Sequence, residues 1–322
     1  MRIAEIRPGQ MVSGTYVIAS PDVRTSRTGD PYLRVTLRDQ DRDSIDALYF
    51  SVPPELAAAV DAGQTYTVEG RAEEFRGRVN VKLTRMERSE VQWDATALLP
   101  QGERDPAALR AAIASAAESI DNAGVQAVVK AVLAQPAVAE RLTTWPAAKG
   151  RHHAWVGGLA EHTVEMLQLA ERVTETFPEL DRDLVVAGVI LHDLGKVLEL
   201  DVTSEFSYTP AGNLEGHMVH GVQLLDAVID EVECDAETVM LLRHLVLSHQ
   251  GTREFAAVVE PMIPEAIALH FIDQLSSQVR PALEDVKAAK AQGVSGGTVR
   301  GATSLRQLYV RAVGDDGARS SR

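Results

Sequence analysis

Leu184-Val185-Val186-Ala187-Gly188-Val189-Ile190-Leu191-His192-Asp193-Leu194-Gly195-Lys196 is apolar on every side of a helix for eight residues and then turns ionisable. A helix that is apolar all round is buried. This one ends on an adjacent imidazole and carboxylate, and an ionised carboxylate in apolar surroundings is costly unless it is paired or bound to metal. Neighbours on a helix diverge by about 100°. They converge on one ion only where the helix stops, and Gly195 predicts such a stop, of the glycine-capped kind. Lys196 is then free to project toward the same cavity.

Histidine extends the pattern outward. All nine histidines lie between His152 and His270, and none lies outside that span. His162 falls on the apolar stripe Leu159, Met166, Ala170, Val173 and Phe177 of one predicted helix. His217 opens another that continues through Leu224 and Val228, and His249 shares a face with Leu242 and Leu245. Pro261-Met262-Ile263-Pro264 predicts the start of a further helix with Ala266, Leu269 and Asp273 on one face. A single inward His is more often a satisfied core residue than a ligand. Four helices that each turn a His or Asp inward, beside a buried His-Asp pair, point to a shared interior metal site.

Imidazoles and carboxylates without thiolates suit Mn, Fe, Co, Ni or Zn. His162, His192, Asp193, His217, His249 and Asp273 exceed what one tetrahedral zinc uses. They fit two metals, with Asp193 as the natural bridge. Such a pair activates a bridging water and holds the attacking and leaving oxygens of a phosphoryl group.

The first 93 residues read differently. Gly14–Ala19, Tyr32–Leu37, Ile45–Phe50, Thr65–Gly70 and Val79–Leu83 carry strand patterning, with turn signals between them and a short helix over Pro54–Ala62. Five short strands with a helix after the third suit a small OB-type barrel. The fold class expected is therefore multidomain, a small β-barrel followed by an all-α bundle. The boundaries expected are barrel 1–93, linker and connecting helices 94–150, helical metal domain 151–285, and a flexible Gly/Ser-rich tail 286–322. From Gly158 onward the metal domain reads as helical throughout.

Composition narrows the class. A chain of 322 residues, 45% hydrophobic, has enough apolar surface for two cores. No stretch of 18 apolar residues and no signal-like N-terminus are present, which gives the expectation of a cytoplasmic protein without a membrane partner. Cys234 is the lone cysteine, so neither a disulfide framework nor a thiolate zinc site is available. The net charge of -14 is uneven: residues 1–93 hold 13 Lys+Arg against 14 Asp+Glu, leaving 19 against 32 for the rest. That excludes bulk coating of DNA but not a strand gripped locally.

The ordered set His162, His192-Asp193, Asp273 resembles the HD-domain phosphohydrolase superfamily, and His217 with His249 resembles its two-metal members. The strings His152–Thr163, Leu191–Lys196, Leu247–Gly251 and Pro261–Ala266, behind an OB-type domain, resemble the YhaM-type 3′-5′ exoribonucleases over roughly residues 5–285. The resemblance implies manganese-dependent removal of nucleotides from the 3′ end of single-stranded RNA, with single-stranded DNA left open. It implies Lys196 on the scissile phosphate beside Asp193, and His153 at the cavity mouth, with His152 at the surface. His220, His244 and His270 read as core or supporting residues. Where the family commonly has a second His after His249, this chain has Gln250.

OB barrels stack bases on aromatics and track phosphates with Arg and Lys. Tyr32, Arg34, Phe75, Arg76, Arg78 and Lys82 are the candidates, and strand alternation requires one of Tyr49 and Phe50 to face inward. Competing readings are a phosphohydrolase of small or cyclic nucleotides and a non-catalytic nucleic-acid-binding regulator. Self-association of copies is left open.

Overall fold

Met11–Thr25 (β1) is fifteen residues long, too long to stay flat in a small barrel, and its register shifts between Ala19 and Asp22. That irregularity bends the strand. One half pairs with Pro31–Arg38 (β2) and the other with Thr65–Phe75 (β4), both antiparallel. Ser44–Tyr49 (β3) follows β2, Pro54–Ala59 (α1) leads into β4, and Arg78–Arg88 (β5) completes the set. A parallel pairing of Ala47 and Leu48 with Val81 and Lys82 closes the barrel in the order β1-β2-β3-β5-β4. This is the OB-type topology that strand spacing predicts. Leu33, Val35 and Leu37 alternate inward along β2 and meet Ile18, Val68 and Val81 in the core. Tyr49 is the inward member of its pair, and its hydroxyl donates to the Thr84 carbonyl at 3.2 Å, while Phe50 stays 44% exposed.

The computed structural model describes residues 1–26, 29–75 and 78–312. They form two compact units, one of Met1–Pro100 with Val202–Phe206, the other of Gln101–Asp201 with the described residues from Ser207 onward. Arg76 and the side chain of Arg78, both expected to contact nucleic acid, lie outside the described part. Among the described residues no helix is long and apolar enough to cross a membrane.

The second unit is built on helices Pro106–Glu118 (α2), Ala123–Ala134 (α3), Pro136–Arg141 (α4), Gly158–Thr176 (α5) and Arg182–Leu191 (α6). Lys196–Glu199 (α7), Pro210–Glu215 (α8), His217–Ile229 (α9), Ala236–Ser248 (α10) and Pro264–Ala291 (α11) follow. Asp105, Asn122, Asp181 and Asp235 cap α2, α3, α6 and α10, each accepting a backbone N–H of the first turn. Every residue of α6 from Leu184 to Leu191 is buried, in contact with α2, α3, α5, α10 and α11. The central helix is thus the one whose sequence is apolar on all sides.

Three expectations need correction. Residues 94–150 are more than a linker: Leu109, Ile113, Val125, Val129 and Val138 lie in the same core as α6. The stretch after Gly158 is not helical throughout, because Leu200–Val202 (β6) pairs with Phe206–Tyr208 (β7). The tail expected from residue 286 is structured through Val310. Helix α11 runs on to Ala291, and Gly297–Arg300 (β8) pairs with Gln307–Val310 (β9). The reason is Asp285, whose carboxylate accepts the backbone N–H groups of Ala302, Thr303 and Ser304 at 2.8–3.1 Å. Gly301 is required there, since a Cβ would lie 2.2 Å from Asp285 Oδ2.

Replacing Asp285 with Ala strands three N–H donors and should cost about 2–3 kcal/mol. Amide exchange should speed up across residues 297–310 while α6 stays protected.

Candidate metal centre

Helix α6 does not end as Gly195 predicts. His192 keeps helical angles, and Gly195 itself is right-handed (φ -58°), opening α7 directly. Its glycine is needed for space instead. A Cβ at Gly195 would sit 1.9 Å from the His217 carbonyl oxygen and 2.6 Å from the Gly221 nitrogen. The backbone of α9 therefore rests on the turn after Asp193 and delivers His217 to it.

Four imidazoles surround the Asp193 carboxylate in two pairs. Oδ2 lies 3.7 Å from His162 Nε2 and 3.3 Å from His192 Nε2. Oδ1 lies 3.6 Å from His217 Nε2 and 3.8 Å from His249 Nε2. Asp273 Oδ1, from α11, is 3.3 Å from His162 Nε2. The Lys196 ammonium donates to Asp193 Oδ2 at 2.7 Å. All six expected ligands and Lys196 thus come together at one place.

The far side of each ring decides its tautomer. His192 Nδ1 faces the Val189 carbonyl at 2.9 Å and His249 Nδ1 the Val246 carbonyl at 2.7 Å. A carbonyl only accepts, so both nitrogens carry the proton. His217 Nδ1 donates to Glu199 Oε1 at 3.1 Å. For His162 the direction is forced through Ser276. The Ser276 hydroxyl gives its one proton to Glu165 Oε1 at 2.9 Å and so accepts from His162 Nδ1 at 3.1 Å. Arg280 holds Glu165 ionised by pairing with its other oxygen.

In its neutral form each of the four rings therefore presents an Nε2 lone pair on the side of Asp193. His217 Nε2 and His249 Nε2 stand 3.4 Å apart. His162 Nε2, His192 Nε2 and Asp193 Oδ1 are buried and have no hydrogen-bond partner among the described residues. Buried lone pairs that converge unpaired are expensive, and a cation is what relieves them. The residues fit a divalent metal. Two ligand groups are available, His162, His192 and Asp193 in one, and Asp193, His217 and His249 in the other.

The electrostatics agree. Burial pushes the Asp193 carboxyl up, but Lys196, His192 and His217 outweigh it and hold it well below the usual range. Burial and then His192 push His249 down to about 3, so it stays a neutral ligand. Burial opposes a charge on His192, yet Asp193 and Asp273 draw its pKa upward, and a field that attracts a proton there also attracts a metal ion.

Both leading histidines lie against His162. His153, expected at the cavity mouth, is 1% exposed, 3.8 Å from Glu165, with its ring 5.2 Å from that of His162. His152, expected at the surface, is half-buried with its ring 5.2 Å from that of His162. Burial, then Lys196 and His162, lower its pKa to about 3. Gln250 also enters, its amide nitrogen 3.1 Å from His249 Nε2. His220, His244 and His270 stay outside the ligand groups; His270 Nδ1 bonds the His249 carbonyl at 2.9 Å.

Glu165, Ser276 and Glu199 escape the sequence reading. Their signal is spacing: each lies three residues after His162, Asp273 or Lys196, one helical turn along the same face.

The HD-domain family model matches residues 159–278, which contain every ligand above. The 3′-5′ exoribonuclease YhaM of Bacillus velezensis is 35% identical over 289 residues, spanning 87% of this chain and 90% of that one. The chain belongs to the YhaM family of 3′-5′ exoribonucleases. Solved structures similar to part of it include the single-stranded DNA-binding protein of Thermus aquaticus (22% identity, 26% of this chain, 41% of that one, TM-score 0.24). Another is the mitochondrial single-stranded DNA-binding protein Rim1 of S. cerevisiae (22%, 25% and 95%, TM-score 0.23).

Ser276→Ala leaves the His162 Nδ1 proton unmatched and should weaken metal binding about 10–100-fold by calorimetry. Gly195→Ala should lower stability by about 3 kcal/mol or more, read by thermal denaturation, because α9 must retreat.

Proposed function

We propose that the helical unit holds two divalent transition-metal ions across Asp193, manganese by preference, and uses them to release nucleotides from the 3′ end of single-stranded RNA, with single-stranded DNA as a second substrate. The observation that carries this reading is the division of one buried carboxylate, each oxygen facing its own pair of imidazole lone pairs.

His162, His192, Asp273 and Asp193 Oδ2 make one position, and His217, His249 and Asp193 Oδ1 the other. Such ions supply Lewis acidity and a water acidic enough to attack near neutral pH. The protein orients and neutralises. Asp193 would be shared between the two ions, and its 2.7 Å contact sets Lys196 beside it. The ammonium is buried; burial lowers its pKa, but Asp193, Asp273 and Glu199 raise it further, so it stays charged. It is suited to a non-bridging oxygen of the scissile phosphate. His152 and His153, each with its ring 5.2 Å from that of His162, are the further imidazoles beside the site.

The barrel supplies a grip on the strand. A cavity of about 600 Å³ on its surface is lined by Arg24, Tyr32, Arg34, Asp46, Phe75 and Asn80. Tyr32 stacks on Phe50 with ring centroids 5.1 Å apart, and the Lys82 ammonium lies 5.7 Å over the Phe50 ring. Phe75 is 62% exposed. Arg34 pairs with Asp46 at 2.9 Å, which fixes the guanidinium along the groove. Exposed rings flanked by cations are what stacking of bases with phosphate tracking requires.

Wild-type protein loaded with Mn²⁺ should shorten 5′-labelled single-stranded RNA in one-nucleotide steps. Asp193→Ala should abolish both the ladder and most bound metal by elemental analysis. Loss of the metal with the ladder intact would overturn the proposal. Tyr32→Ala or Phe75→Ala should cost about 1–3 kcal/mol in RNA affinity per stacked base, with turnover of mononucleotide esters unaffected.

A further inference from the structure

Helix α11 has two characters. One face carries Asp273 and Ser276 into the metal centre. The opposite side carries Phe271, Leu275 and Val279, the middle of a row at successive intervals of four residues that winds across the helix from Ile267 to Leu283. These five are 44–65% exposed. Phe177, from the end of α5, adds another exposed ring beside them, across a cavity of about 710 Å³ that Ile267, Phe271 and Leu275 also line.

We infer that this face seats a second copy of the chain, α11 crossing α11 about a twofold axis at Leu275. Side chains spaced by four form a ridge along a helix. Two such ridges interdigitate at about -50°, the commonest helix-packing class in globular proteins. A twofold axis makes the face its own complement. Leu275, the middle of the five, meets its counterpart, and Phe271 of one copy lies against the smaller Val279 of the other.

Charge selects this occupant over others. A chain of net charge -14 repels its copies wherever acid side chains meet. Between Pro264 and Gln278 the two carboxylates, Glu265 and Asp273, are both buried. The ridge is flanked there by Gln274, Ser277 and Gln278. Arg172 and Glu179 line the cavity beside it with opposite charges, so the surface offers no net charge to a cationic or acidic partner, and a like surface meets it without net repulsion. Area points the same way. Six side chains, about half exposed, offer on the order of 600 Å², at the upper limit of what a soluble monomer leaves open. With a polar rim this approaches the roughly 800 Å² per partner of a standard interface.

The test uses the full chain at micromolar concentration. Sedimentation or light scattering should give an assembly whose mass falls at least twofold in Leu275→Glu. In a Cys234→Ser background, mild oxidation should link most of Leu275→Cys into covalent pairs. Ile267→Cys, about 12 Å along the helix from the axis, should stay unlinked. The proposal is overturned by a wild-type mass of one chain or by an assembly that survives Leu275→Glu in folded form. Equal linking of Ile267→Cys, or binding of an unrelated polypeptide to this face in place of a copy, would also overturn it. Should Leu275→Glu misfold, the cysteine pair still decides.

Discussion

Everything in the helical unit depends on one buried carboxylate. Asp193 sits at the end of a helix with no polar side, where an isolated charge would be costly by many kcal/mol. Lys196 compensates part of the charge, and Asp273 adds a second negative group 3.3 Å from His162. What remains is a pocket of lone pairs with surplus negative field, which is a standing demand for cations. The apolar environment of α6 is therefore the source of the site's affinity as well as the unit's core.

A demand of that kind is useful only if the lone pairs stay aimed. The hydrogen bonds behind the rings do this by removing choice. Two carbonyls, one carboxylate and one hydroxyl each accept the Nδ1 proton, so no ring has an alternative tautomer that satisfies its neighbour. The chain Arg280–Glu165–Ser276–His162 is the longest of these, and its proton direction follows from Glu165 being unable to donate. The same helix that carries Ser276 and Asp273 exposes an apolar ridge on its other side, so a contact made there would act on the element that positions both.

The barrel solves a different problem. Its charges nearly cancel, in a chain whose remaining residues are strongly acidic. Attraction for a polyanion must then be local. Under the proposed function, Lys82 over Phe50 and Arg34 beside Tyr32 would supply it by pairing cations with stacking surfaces, where short-range contact outweighs the screened field of the chain.

The sequence by itself determined the ligand types, the inward faces and the barrel. Apolar periodicity places His162, His217, His249 and Asp273 without reference to any distant contact, and strand alternation does the same for Leu33, Val35 and Leu37. The anchoring of the C-terminal hairpin by Asp285 and the space demanded at Gly195 were not legible, because each depends on backbone from another part of the chain. Nor was the approach of His152 to His162, since a residue in a loop has no period to place it. Glu165, Ser276 and Glu199 lay between these cases: their helical faces were readable at a spacing of three, but their role needed the ring on the neighbouring element. Local pattern decides which way a side chain points; only packing decides what it meets.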